Sequence, residues 1–172
     1  QNISAERIHD ELLKLMGYMR PSHGLLLMKE TGLMREILPE LEACFGVEQN
    51  QFHADDVGMH SLKTADAIHP RYPLLRLIAL FHDLGKPERK RWMKDQGDYV
   101  FYGHQFPSAD KAVEMMNRLR FPTREIDLAR RMIENHMVRL GPEATASSIR
   151  RLMRRVGREN IRSFLRIRIT DR

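Results

Sequence analysis

A histidine and an aspartate stand side by side at the end of the most apolar stretch of the sequence. His82-Asp83 directly follows Leu74–Phe81, which has helical spacing and should be buried. Burying an imidazole beside a carboxylate is costly unless the two groups are paired or bind a metal. A metal here would be coordinated by imidazole nitrogen and carboxylate oxygen, a combination that suits Fe, Mn, Zn, Co or Ni and suits Mg less well. A second such pair, His9-Asp10, lies on the polar side of an amphipathic helix and is interpreted as a surface feature.

Further histidines and one aspartate could complete a metal site around this pair. His60 lies on the preceding predicted helix, and antiparallel packing of the two helices could bring it to His82. His104 follows a predicted hairpin, His136 ends its predicted helix, and Asp171 ends the last one. Each of these residues by itself is more readily explained as structural or exposed, because a histidine at a helix end often interacts only with the helix dipole.

Helical periodicity dominates the chain and predicts an all-α bundle with one small β-hairpin around residues 90–102. Ser4 is a predicted N-cap of the first helix, which Pro21 should end. The second helix is expected over Leu25–Glu30, and Thr123 is the predicted N-cap of a later helix.

Four aromatic residues fall in or next to the predicted hairpin, namely Trp92, Tyr99, Phe101 and Tyr102. We interpret them as packing the hairpin rather than as stacking on bases. His53, in the polar loop before the His60 helix, is interpreted as a surface residue.

Composition and charge limit the function classes. The 172 residues suit one domain, and the longest unbroken apolar run, Leu77–Phe81, is too short to span a membrane. The single Cys44 excludes an intrachain disulfide and a cysteine-based metal cluster, and no signal peptide is evident, so a cytoplasmic location is expected. Residues 118–172 carry fifteen arginines against six acidic residues, whereas residues 1–117 are slightly acidic. This basic tail is either a phosphate or nucleic-acid contact surface or a set of solvated helix faces.

The order His, His-Asp, His, His, Asp resembles the pattern of the HD superfamily of metal-dependent phosphohydrolases. Longer motifs resemble the bacterial tRNA nucleotidyltransferases, the CCA-adding and poly(A)-polymerase-like enzymes, which carry an HD domain after their catalytic head. The resemblance covers almost the whole chain, and its motifs stand in the family's order: Glu6-Arg7-Ile8 with Glu11-Leu12, Glu30-Thr31-Gly32-Leu33, Ile37-Leu38-Pro39-Glu40-Leu41, Asp56-Val57-Gly58-Met59-His60-Ser61-Leu62, His82-Asp83-Leu84-Gly85-Lys86-Pro87 and Gly103-His104.

The sequence departs from that family in three places. Gln105 stands where the family usually has Glu after Gly-His. No strand with a Gly-rich turn and paired aspartates precedes Ser4, so the nucleotidyltransferase head is expected to be absent. The chain starts at Gln1 and stops at Arg172, which suggests a piece of a longer protein that also lacks its C-terminal tRNA-binding segment. We therefore expect no nucleotide addition by this chain alone.

The resemblance implies an HD metal-binding domain over residues 46–172, with N-terminal helices over residues 1–45 packed on it. It also implies ligands for one or two divalent ions, of Fe, Mn, Ni, Co, Zn or Mg. The ligands of the first ion would be His60, His82, Asp83 and Asp171. Those of the second would be His104 and His136, with Asp83 as a bridge. Asp56 could orient His60 from one helical turn away, and either Asp55 or Asp56 should cap that helix.

The implied reaction is hydrolysis of a phosphomonoester or of a 2′,3′-cyclic phosphodiester, on a nucleotide or an RNA 3′ end. Asp83 and Lys86 would be catalytic, with Lys86 neutralising the phosphate and water rather than a side chain as the nucleophile. Arginines of the basic tail are candidates for holding phosphate or RNA, namely Arg150, Arg151, Arg154, Arg155 and Arg162.

Two other functions remain open. The chain could be a catalytically silent HD body module that binds the tRNA acceptor stem as part of the parent protein. It could also be a helical spacer, but a spacer would leave the six ligand-type residues unexplained.

Overall fold

The computed structural model describes residues 3–51, 54–138, 141 and 144–171, so the expected surface position of His53 lies outside the described residues. The predicted all-α bundle with one small hairpin is confirmed. The helices are α1 (Ala5–Met16), α2 (Pro21–Glu30), α3 (Leu33–Ile37), α4 (Pro39–Glu42), α5 (Val57–Ala67), α6 (Pro73–Phe81), α7 (Lys86–Arg89), α8 (Gln105–Arg118), α9 (Thr123–Asn135), α10 (Ala146–Val156) and α11 (Ile161–Thr170). The strands are β1 (Arg91–Met93) and β2 (Asp98–Val100). In the described part, no helix is both long and apolar enough to cross a membrane.

The central element is α6, which is buried from Leu75 to its last residue. Pro73 opens it, because the first helical position needs no N–H partner and suits proline. Helices α5, α1, α9, α8 and α11 all contact it. Because α6 is enclosed in this way, the residues that follow it, His82 and Asp83, are delivered into the interior.

Helices before residue 46 and helices after residue 54 share one hydrophobic core. Met16 and Leu25 from the N-terminal helices belong to the same buried cluster as Leu62, Met115 and Ile167. Helix α1 therefore packs directly on α6, which His82 follows, and α2 packs on α5, which carries His60.

Two predicted helix starts need correction, while that of α1 is confirmed. Ser4 caps α1 by accepting a hydrogen bond from the Arg7 amide at 3.4 Å. Helix α2 begins at Pro21 rather than at Leu25, because proline ends one helix and can open the next. Thr123 is the first residue of α9 and not its N-cap, a position that Pro122 holds without a side-chain hydrogen bond.

A buried arginine joins the N-terminal helices to the rest. Arg76 is 1% exposed, and its guanidinium donates to backbone carbonyls at and just after the end of α1 and at the end of α5. Carbonyls at helix C-termini lack intrahelical partners and carry partial negative charge. A guanidinium group satisfies several of them together, and its burial lowers the pKa of Arg76.

The hairpin pairs Trp92 with Tyr99, whose rings meet edge to face with centroids 5.1 Å apart. Trp92 and Tyr99 thus pack against each other as predicted, with Trp92 still 57% exposed. Phe101 is buried, and its packing on the hairpin stays a prediction. Tyr102 is 69% exposed and has no ring partner among the described residues.

Candidate metal centre

Three histidines share one backbone arrangement. In His82, His104 and His136, the Nδ1 atom lies 2.6, 2.8 and 2.7 Å from the carbonyl oxygen three residues earlier. Because a carbonyl only accepts, Nδ1 carries the proton, and in the neutral ring Nε2 presents its lone pair. All three rings are buried. The Nε2 atoms of His104 and His136 are 3.1 Å apart, and that of His82 lies 3.1 Å from Asp171 Oδ1. This is how a protein prepares imidazoles for a metal.

Asp83 lies between two pairs of histidines. Its Oδ2 atom is 3.2 Å from His82 Nε2 and 3.8 Å from His60 Nε2. Its Oδ1 atom is 3.0 Å from His104 Nε2 and 3.8 Å from His136 Nε2. One carboxylate thus faces all four rings.

The second carboxylate comes from the end of α11. Asp171 Oδ1 lies 3.2 Å from His60 Nε2 and 3.1 Å from His82 Nε2. Two groups of potential ligand atoms therefore share His82: one with His60 and Asp171, the other with Asp83 and His136. The structure brings together all six residues that the sequence singled out.

These side chains fit a divalent cation. The Nε2 atoms of His104 and His136 are 3.1 Å apart while both Nδ1 atoms are committed to carbonyls, so two lone pairs face each other unless a cation or a proton lies nearby. Both oxygens of Asp83 are buried, and neither accepts a hydrogen bond of good geometry from the described residues. Imidazole nitrogen and carboxylate oxygen form a donor set for transition metals.

Burial and neighbouring charges both shift the pKa values of groups in this cluster. Burial lowers the pKa of His82, but the carboxylates of Asp83 and Asp171 outweigh this effect and raise it to about 10. Burial lowers the pKa of His136 to about 3, and the charge on His82 adds to the shift. Burial would raise the pKa of Asp83, but His82 and Lys86 hold it well below its ordinary value. Without a metal, the two carboxylates therefore retain a proton on His82, which a bound cation would have to displace.

Lys86 lies beside the cluster, and its neutralisation of a phosphate stays a prediction. Its Nζ atom is 2.6 Å from Asp83 Oδ2 and donates to Gln49 Oε1 at 2.6 Å. Asp56 caps α5, and its carboxylate accepts from the amides of Met59 and Gly46. Its orienting effect on His60 stays a prediction.

The arginines of the basic tail are placed differently from one another. Arg155 lines a second cavity that none of the six ligand-type residues line. Four other arginines are exposed and line neither this cavity nor the larger one at the cluster: Arg150, Arg151, Arg154 and Arg162. Their contact with phosphate or RNA stays a prediction. His9, interpreted above as a surface residue, is instead half-buried because its ring packs edge-on against Phe121 at 4.2 Å.

Sequence reasoning missed two residues at the site. Arg168 lines the larger cavity, with Nη1 3.4 Å from Asp171 Oδ2. Its spacing of three residues from Asp171, which places both on one helix face, could have identified it. Gln49, which holds Lys86, has no such signal because the two residues meet only in the folded chain.

Comparisons with known proteins agree with this geometry. Residues 53–171 match the HD domain family, and residues 1–45 match a family described as the probable RNA and SrmB-binding site of polymerase A. The chain is 33% identical to an A-adding tRNA nucleotidyltransferase of Deinococcus radiodurans over 97% of its own length and 39% of the relative's. It is 34% identical to a CC-adding tRNA nucleotidyltransferase of Thermus thermophilus over 82% of its length and 33% of the relative's. It is also 34% identical to a multifunctional CCA protein of Aromatoleum aromaticum, over 78% of its own length and 33% of the relative's. The chain thus spans between a third and two fifths of the length of these relatives.

Proposed function

The chain belongs to the HD domain family, as the HD-containing part of a tRNA nucleotidyltransferase-like protein, and on that premise we propose that it is a metal-dependent phosphohydrolase. One observation carries the proposal. The buried Asp83 carboxylate faces four imidazole Nε2 atoms at 3.0 to 3.8 Å, and a divalent cation satisfies that set of donors.

The substrate we propose is a phosphomonoester or a 2′,3′-cyclic phosphodiester, on a nucleotide or an RNA 3′ end. The relatives are named for adding nucleotides to tRNA, so the parent protein would bring an RNA 3′ end close to this domain. With such a substrate, we propose that the protein acts in the cytoplasm. Arg168 and Lys86 line the cavity beside the cluster and would attract the phosphate anion.

Each group of residues would have its own role in metal binding and hydrolysis. His60, His82, Asp83 and Asp171 would hold one ion, while His104 and His136 would hold a second that shares Asp83. When bound, such ions polarise the phosphate and lower the pKa of a bound water toward neutrality. No serine, threonine or cysteine is among the described residues that line the cavity, which supports water as the nucleophile. Lys86 would stabilise the negative charge that develops on the phosphate oxygens.

The test compares the two His-Asp pairs of this chain. Metal content is measured by elemental analysis after incubation with Mn²⁺ or Ni²⁺, and hydrolysis is measured on 3′-AMP and 2′,3′-cyclic AMP. We expect the wild type and the control Asp10→Ala to bind metal and to release product. Asp83→Ala and the isosteric Asp83→Asn should lose both properties while circular dichroism shows that helices remain.

Two results would refute the proposal. One is a wild-type chain that takes up no metal from either ion. The other is hydrolysis that is unchanged in both Asp83 variants.

A second function has its own supporting observation. The match of residues 1–45 to an RNA-binding family and the exposed arginines of α10 favour a body module that binds RNA for the parent protein. The two functions can coexist, and they differ in their response to Asp83→Ala.

A further inference from the structure

The cavity beside the cluster has room for more than a phosphate. Its volume is about 700 Å³, within the range of small-molecule sites. The metal-ligand residues Asp83, His104, His136 and Asp171 line one part, and the hairpin with the segment after it lines another. A phosphate held at the cluster would leave the hairpin part of the cavity for the rest of the substrate.

Tyr102 is an exposed aromatic ring in that lining. The other aromatic residues of the lining are engaged: Phe101 is buried, and Tyr99 packs edge-on against Trp92 with Lys90 Nζ 3.9 Å from its centroid. Within the described parts of the chain, no ring or cation is stacked on Tyr102. A tyrosine that is 69% exposed beside a charged site offers a ring face to a ligand.

A hydrogen bond and a backbone turn set the position of this ring. The Tyr102 hydroxyl accepts a hydrogen bond from Gln96 Nε2, in the hairpin turn, at 3.2 Å. Gly103 follows with a φ of +74°, a left-handed conformation that glycine adopts without strain. This turn sends Tyr102 toward solvent while His104, two residues on and so at most about 7 Å along the backbone, enters the cluster.

We propose that Tyr102 is a stacking platform for the nucleobase of a substrate whose phosphate lies at the His-Asp cluster. The site would then take nucleotides, free or at an RNA 3′ end, in preference to phosphate esters without a base. Met137, 45% exposed in the same lining, adds apolar surface. Because every base has an aromatic face, stacking recognises a base without selecting among bases. This inference rests on the proposed hydrolase function for the position of the phosphate.

The test measures binding rather than activity. Calorimetric titration of the metal-free full chain compares AMP with ribose 5-phosphate, which carries the same phosphate on the same sugar without a base. We expect Tyr102→Ala to weaken AMP binding by about 5- to 150-fold and to leave ribose 5-phosphate unaffected. Tyr102→Phe keeps the ring and should bind AMP like the wild type. So should Tyr18→Ala, which removes an equally exposed tyrosine outside the cavity lining.

A second arm separates the two sources of the base. The same variants are titrated with 2′,3′-cyclic AMP and with a short RNA that ends in a 2′,3′-cyclic phosphate. If Tyr102→Ala weakens binding of the mononucleotide, a free nucleotide is a ligand. If it weakens binding of the RNA, an RNA 3′ end is a ligand. Either loss supports the proposal.

Unchanged nucleotide affinity in Tyr102→Ala, or equal weakening of AMP and ribose 5-phosphate, would overturn the platform. That failure is distinct from failure of the hydrolase function. If the chain binds no metal but AMP binding depends on the ring, the platform stands and the hydrolase proposal falls. If hydrolysis depends on Asp83 while Tyr102→Ala leaves nucleotide affinity unchanged, only the platform falls.

Discussion

Lys86 places its ammonium group inside the molecule at a fixed position. The side chain is 11% exposed, and it lies between Asp83 and Gln49, with the Phe101 ring centroid 5.5 Å from Nζ. The amide of Gln49 is itself oriented, because its Nε2 donates to the carbonyl of Asp55 at 3.2 Å. The Oε1 atom of Gln49 therefore faces the ammonium group of Lys86. A charge held in this way needs little reorganisation when a phosphate arrives.

We predict that Lys86→Gln keeps its metal but hydrolyses 2′,3′-cyclic AMP about 100- to 1,000-fold more slowly, the usual cost of removing one group that stabilises the transition state. The matched control is Arg89→Gln, an exposed cation on the same short helix α7. Elemental analysis and steady-state kinetics on both variants check the prediction. Equal rates for Lys86→Gln and Arg89→Gln would contradict it.

Three of the six ligand-type residues are C-caps of helices. His82 follows the last residue of α6, His136 follows that of α9, and Asp171 follows that of α11. The carbonyls at a helix C-terminus carry partial negative charge, so three such ends add to the attraction for a cation. The turn after Asp83 also brings the start of α8 within contact distance. Gly85 makes this approach possible: a Cβ there would lie 2.5 Å from the carbonyl oxygen of His104.

We predict that Gly85→Ala lowers the free energy of unfolding by about 1–3 kcal/mol or more, because the methyl group forces α8 away. It should also weaken metal binding, since His104 moves with α8 and the Gly85 amide loses its 2.8 Å bond to Ser108 Oγ. The control is Gly32→Ala, at a left-handed φ of +77° with open space around it, which should cost about 1 kcal/mol or more without affecting metal. Urea unfolding and metal titration measure both effects. Wild-type metal affinity in Gly85→Ala would show that the close approach does not position His104.

Charge is divided across the whole molecule. The first 117 residues provide four of the six proposed metal ligands, and the last 55 provide fifteen arginines together with His136 and Asp171. Arginines on α10 are exposed, while α11 contacts α5 and α6 and so carries its last turn to the cluster. Helix α10 contacts α9 and α11, the helices that His136 and Asp171 follow, so its exposed arginines lie on an element packed against those that lead to the proposed site. This is the arrangement expected if an RNA is held while its end is processed.

We predict salt-sensitive binding of tRNA to the chain. Replacing Arg150, Arg151, Arg154 and Arg155 by Ala together should weaken it and reduce the slope of log affinity against log salt by roughly 3, from the counterions that four phosphate contacts release. Asp83→Ala is the control, because it should leave RNA affinity unchanged while it abolishes metal binding. Filter binding at several salt concentrations provides the measurement. Negligible affinity at low salt, or a slope unaffected by the four substitutions, would refute this RNA contact.

Local patterns in the sequence determined much of this protein. Helical periodicity, the Ser4 cap and the short alternating hairpin depend on near neighbours, and each is found in the structure. The six histidines and aspartates were also identifiable by type and order. The start of helix α2 was predicted too late in the chain, because a proline can end one helix and also open the next.

The tertiary structure alone decided which of these groups meet. His60 and Asp171 contact each other although 111 positions separate them in the sequence, and no local pattern extends so far. The same holds for Gln49 on Lys86 and for the carbonyls around Arg76. It also decided that Arg168 rather than its exposed neighbours lines the cavity, and that Tyr102 leaves the aromatic packing. The physical reason is that residue type and spacing specify a chemistry and a helix face, whereas proximity depends on how all the buried faces pack together.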